Sequence, residues 1–104
     1  MSNKTAPKQD QEVERIMDGL TGDFRTGERY YIFTVTYAYI ARIKAVTDFA
    51  LHLDDTWIVS RAGGEDDAVT KIVHGKRKPE AYEVLNAPMF IAKQSVVSAI
   101  KMQV

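Results

Sequence analysis

The sequence contains no cysteine, which excludes disulfide frameworks, thiolate metal sites and thiol nucleophiles, and suits a reducing compartment. It has no net charge either: 14 Lys and Arg balance 14 Asp and Glu, so any basic surface offered to a polyanion must be a local patch. No apolar run approaches a bilayer span, and the polar stretch from Met1 to Gln11 lacks a signal-peptide core, so a cytoplasmic protein with no membrane partner is expected. His52 and His74 are the sole histidines and lie far apart, which gives no metal centre. Ser60 and Ser95 have no nucleophile-elbow context, and Gly63-Gly64 is not followed by the Lys-Ser/Thr of a phosphate loop. With no catalytic constellation, no cofactor motif and no small-molecule substrate site, the chain reads as a non-enzyme.

What remains is a chain of 104 residues, 45% hydrophobic, the size of one compact domain. Residues 1–9 are polar and aperiodic and are predicted to form a disordered tail, leaving 10–104 as the domain. Asp10 can cap a helix over 10–21 whose apolar stripe is Val13, Ile16, Met17 and Leu20, ended by Gly19 and Gly22. A helix this short is marginal alone, so it should cover the open end of a sheet or barrel.

From Tyr30 to Ser60 the composition is Tyr, Ile, Phe, Val and Thr, which fits strands. Tyr30 to Val46 forms either two strands broken near Tyr37 to Tyr39 or one strongly bent strand. Ile43, Ala45, Phe49, Leu51 and Leu53 alternate with Arg42, Lys44, Asp48, His52 and Asp54, predicting one core face and one wet face with a bend near Thr47 and Asp48. Asp54-Asp55-Thr56 reads as a turn and Trp57 to Ser60 as the third strand of a meander. Residues 61–88 form an excursion holding a short helix from Asp66 or Asp67 through Ile72. Met89 to Ala92 and Val96 to Met102 return to strand composition across a tight turn at Lys93-Gln94-Ser95.

This order, an N-terminal helix, three bent strands, a variable excursion and two short strands joined by a tight turn, resembles the Sm and Sm-like proteins, including bacterial Hfq. The stretch Ala41 to Asp55 looks like the first Sm motif, and Lys93-Gln94-Ser95-Val96-Val97-Ser98-Ala99-Ile100 looks like the second. Ala41 stands where the family has a bend-permitting Gly, and Thr47 where an Asp braces the pore loop. The long excursion resembles the variable region of other Sm-like proteins, phage-encoded ones among them. The resemblance implies a mainly β fold: the helix, then a strongly bent five-stranded antiparallel Sm-like (SH3-like) barrel, with the 61–88 insertion and its short helix before the last two strands.

Phe90-Ile91-Ala92 and Val96-Val97-Ser98-Ala99-Ile100 carry no charge to protect a strand edge. Edge-to-edge pairing between copies, head to tail, would satisfy them, and the resemblance implies a closed ring of about five to seven subunits. It also implies single-stranded RNA as partner, with Thr47, Asp48, Phe49, Lys93 and Gln94 at the pore: Phe49 to stack on a base, Gln94 on a base edge, Lys93 on a phosphate or carbonyl. From the residues alone Phe49 is either a core or a stacking side chain, and Lys93 and Gln94 are either ligand groups or plain turn residues. Lys76, Arg77 and Lys78 form a secondary basic patch, which reads equally as a solvated loop. A structural or adaptor ring, such as a virion component, that binds no nucleic acid is the alternative.

Overall fold

The computed structural model describes residues 24–103. The predicted tail 1–9 and helix 10–21 lie outside these residues. The elements in chain order are β1 (Arg29–Thr34), β2 (Ala38–Val46), β3 (Ala50–Arg61), helix α1 (Ala68–Val73), β4 (Ala81–Leu85), β5 (Met89–Ala92), a 3-10 turn (Lys93–Ser95) and β6 (Val96–Lys101). All strand pairs are antiparallel, in the order β4-β3-β2-β1-β6, with β5 also paired to β3. The result is a mainly β protein built on one open sheet of six strands.

Three expectations are corrected. The sheet has six strands among the described residues instead of five, because the 61–88 excursion contributes β4 as well as its helix. Glu80 to Leu85 is a short run interrupted by Glu83 that follows Lys78-Pro79, with no clean alternation to mark a strand; it is held by pairing with the far half of β3, from Thr56↔Leu85 to Arg61↔Ala81. Asp54-Asp55-Thr56 is not a turn, and Trp57 to Ser60 is not a separate strand. Both belong to the continuous β3, 12 residues long. Ile40 faces Trp57 and Arg42 faces Asp54, so the single residue Ala41 stands opposite both Asp55 and Thr56. This is a β-bulge, with Asp55 at φ 48° in the left-handed region that an Asp tolerates better than most residues. The bend expected from a Gly at position 41 is thus made by the facing strand, and Ala41 is fully buried beneath it.

The bulge inverts which side of the sheet β3 serves. Leu51 and Leu53 pack with Phe24, Tyr30, Ile32, Ala41, Ile43, Ile91 and Val96 in one core. Beyond Asp55, Trp57 and Val59 join the opposite core with Tyr31, Ile40, Ile72 and Val73. In an unbroken strand these odd-numbered residues would share one face. A second bulge, at Lys44, falls between the pairs Ile43↔Leu53 and Ala45↔His52. It turns Ala45 outward and Val46 inward, against the simple alternation of the sequence.

Helix α1 closes the second core from outside, burying Ala68, Ile72 and Val73. Its C-terminus is a Schellman motif: the Gly75 N–H donates to the Ile72 carbonyl at 3.0 Å and the Lys76 N–H to the Lys71 carbonyl at 2.8 Å, with Gly75 at φ 74°. Glycine is required at that position to reverse the chain toward β4 without Cβ strain.

Leu53 is fully buried in the first core whereas Phe49, two pairs of residues earlier, is 83% exposed. Leu53→Ala is therefore expected to lower unfolding free energy by about 2 to 5 kcal/mol, and Phe49→Ala to change it by no more than about 0.5 kcal/mol. Urea denaturation of the two variants checks the assignment; equal losses would place Phe49 in the core instead.

Candidate functional site

Two segments distant in sequence meet at one end of the sheet. Strand β5 pairs with the first residues of β3, from Ala50↔Ala92 to Leu53↔Met89. This places the 3-10 turn beside the loop that joins β2 to β3, and the Lys93 N–H donates to the Phe49 carbonyl at 2.8 Å. Thr47, Asp48, Phe49 and Gln94 are exposed there and Lys93 is half-buried. All five sequence-predicted loop residues are thus brought together. Phe49 departs from the alternating apolar face because it ends the loop instead of opening the strand, and its ring stands in solvent.

The loop is braced by its own threonine. The Thr47 hydroxyl accepts the Ala50 N–H at 3.0 Å and the Phe49 N–H at 3.3 Å, while the Thr47 N–H donates to the Ala50 carbonyl at 2.9 Å. A hydroxyl tying down backbone N–H groups two and three residues ahead does what a carboxylate does in such turns. It does so without adding a negative charge. The corner opposite is pinned by the Ser95 hydroxyl, which donates to the Ala92 carbonyl at 2.7 Å. Alongside the loop lies a depression of about 270 Å³ bordered by Lys44, Thr47, His52 and Phe90. The imidazole of His52 and the Phe90 ring face each other across 5.6 Å there.

The segments expected at an oligomer interface divide by side-chain direction. Ile91 and Val96 point into the first core and Ala99 is partly buried against it, so these three serve the subunit's own packing. Phe90, Ala92, Val97, Ser98 and Ile100 are exposed. Val97 is bulged out of the β1–β6 ladder, between Phe33↔Ser98 and Thr34↔Val96. Among the described residues β5 pairs only with β3, and β6 only with β1, so each keeps one backbone edge without a partner strand.

The basic cluster does not stay together. Arg77 turns inward, forming an ion pair with Glu65 and donating to the Ala62 carbonyl at 3.3 Å. This closes the start of the excursion over Gly63, where a Cβ would come within 2.9 Å of the Glu65 carboxylate and 3.1 Å of Ala68. Lys76 is exposed, and Lys78 reaches over the indole of Trp57, its Nζ 5.9 Å from the ring centre. Trp57 and Arg29 were not legible as site residues in the sequence. The one available signal was that Trp57 is the only tryptophan.

Electrostatics concentrate at the β3 bulge. Arg42 forks onto Asp54, with Nε–Oδ1 at 2.9 Å, and onto Asp55 Oδ2 at 3.1 Å. The hydrogen bond from Arg42 holds the Asp54 carboxyl below its usual range, and the same bond raises Arg42. Burial pushes Arg29 down despite the opposing Asp55 charge. The Glu65 carboxyl is lowered, first by its own backbone N–H and then by Arg77. Comparison with protein-family models, curated proteins and solved structures finds no match for this chain.

The Asp54 pair gives a pH signature. A carboxyl lowered in the folded state stabilises above the unfolded-state pKa, and that stabilisation is lost as pH falls through the folded value. The melting temperature should fall more steeply on acidification from pH ~5 for the native chain than for Asp54→Asn. Parallel curves would show that the Arg42 fork contributes nothing to the fold.

Proposed function

We propose that this chain is an Sm-like subunit of a homo-oligomeric ring and that the ring binds single-stranded RNA around its pore through Thr47, Asp48, Phe49, Lys93 and Gln94. The observation that carries the reading is the bond between the Lys93 N–H and the Phe49 carbonyl, which holds a solvent-exposed aromatic ring beside a lysine and a glutamine. An exposed phenylalanine on a loop braced by hydrogen bonds has no packing role in the subunit. It suits a base, which stacks on an aromatic face whatever its sequence context.

The strand order supports the Sm-like reading. Three consecutive antiparallel strands, then, after α1 and β4, a short strand paired with the start of β3, a 3-10 corner and a last strand paired with β1 are the order expected of a bent Sm-like barrel with an added strand in its excursion. The ring reading rests on the edges of β5 and β6, two of the three strand edges, with that of β4, left without a partner among the described residues, and on the exposed Phe90, Val97 and Ile100 beside them. Edge segments with little charge, here β5 and β6 up to its terminal Lys101, invite a neighbour, and joining β5 of one copy to β6 of the next propagates head to tail until the rotation closes. Closure at about five to seven copies would repeat each loop around an axis, raising the effective concentration of an otherwise modest site.

Native mass spectrometry at micromolar concentration should show a single closed oligomer, and a monomer would remove the ring. Titration of labelled U-rich and A-rich single strands at low and moderate salt should then give saturable binding that weakens with salt. Phe49→Ala should cost about 1 to 3 kcal/mol per stacked base, and Lys93→Ala should weaken binding and flatten the salt dependence. An intact ring that binds neither strand would leave a structural or adaptor ring as the function.

A further inference from the structure

The excursion does more than cover the second core: with β3 it walls a cleft of about 780 Å³ bordered by Arg29, Lys44, Trp57, Arg77, Lys78 and Met102. We propose that this cleft is a second ligand site, one that takes a nucleotide unit by stacking its base at Trp57 and pairing its phosphate with Arg29 and Lys78. None of these residues belongs to the loop or the 3-10 corner, so the site stands apart from the proposed pore.

The volume falls in the range of pockets that enclose small organic ligands, about 300 to 1,000 Å³. One wall is aromatic. The indole of Trp57 stacks on the ring of Tyr82 at 4.6 Å, which fixes its plane. Over the indole stand two cations, the Arg29 guanidinium carbon 5.5 Å and the Lys78 Nζ 5.9 Å from its centre, and a base stacks there by taking their place against the ring as they turn to its phosphate. The floor, made by Ile40, Ile72 and Met102, is apolar. A planar ring bearing an anionic group matches this combination, whereas an acyl chain would leave the cations idle and a bare anion would leave the rings idle.

Charge bookkeeping favours an anion. The carboxylates on the wall, Asp54 and Asp55, are both engaged by Arg42, and Arg77 is engaged by Glu65. Among the described residues Arg29, Lys44 and Lys78 form no ion pair. Arg29 makes one hydrogen bond, to the Asp55 carbonyl at 3.1 Å, and is partly desolvated. No carboxylate bridges this guanidinium directly, although the Asp54 and Asp55 charges act on it through space, and its free N–H groups suit a phosphate, which a guanidinium binds through two parallel bonds.

Trp57 is the only tryptophan, so intrinsic fluorescence of the full chain, excited at wavelengths beyond base absorption, reports on this cleft alone. The probes are AMP, UMP, a short A-rich or U-rich single strand, and inorganic phosphate. A saturable change with a nucleotide or strand is expected, weakened by at least about tenfold in Lys78→Gln and in Arg29→Gln. Lys78 is exposed, so its variant tests the contact without disturbing the core. A change with the strand but not with the mononucleotides assigns the site to polynucleotide; a change with both assigns it to the nucleotide unit itself. Phe49→Ala should leave the signal in place, which separates this site from the pore. No change with any base-bearing probe, an equal change with inorganic phosphate, or full retention in the Lys78→Gln, Arg29→Gln double variant would overturn the proposal.

Discussion

The continuity of β3 across its bulge is the constraint on which the rest of the structure depends. This strand pairs with β2 along one edge and, on the other, first with β5 and then with β4. One strand can serve both only if it bends, and the bend is taken at Asp55, where the backbone enters the left-handed region. Arg42 draws the Asp54 and Asp55 carboxylates together on the outside of the bend, offsetting local strain with charge-assisted hydrogen bonds. Because the bend separates the two halves, β5 leads into the Lys93–Ser95 corner at one end while β4 and α1 build outward at the other.

The same bulge explains why the sheet is apolar on both faces. A half-solvated antiparallel sheet has one wet side, yet here Tyr31, Ile40, Trp57 and Val59 form a second core opposite the first. That core needs a cover, and α1 with its glycine-terminated end supplies it. The excursion is thus a structural layer of the domain as well as a connection. Its return strand places Tyr82 under Trp57 and its basic segment places Lys78 above.

A chain with zero net charge therefore presents two small places where basic and aromatic residues come together. At the loop and corner the backbone bond between Lys93 and Phe49 makes the two residues neighbours; at the cleft Arg29 and Lys78 stand over Trp57. Several other basic groups are taken up by acidic ones: Arg61 by Glu80, Lys71 by Asp67 and Lys101 by Glu28. Neutrality overall and basic, aromatic patches locally are compatible, because steering acts over only about a Debye length in physiological salt.

By itself the sequence determined the elements that depend on neighbours in the chain. The short helix of the excursion, the Lys93–Ser95 turn and the two strands flanking it follow from local composition and turn residues, and the structure has them within a residue or two, although the Asp67 side chain makes no capping hydrogen bond. Period-two patterning also marked Ile43, Leu51 and Leu53 as core. Only the tertiary structure decided the rest. A bulge shifts the side-chain phase by one residue without leaving a composition signal, so the outward turn of Ala45 and the change of face at Trp57 could not be read from alternation. Strand β4, only half-buried, exists because β3 has a free edge to pair with it, and Phe49 is exposed because β3 begins just after it, where Ala50 pairs with Ala92. Hydrogen bonds between segments far apart in the chain set these outcomes, and no local pattern encodes which segments will meet.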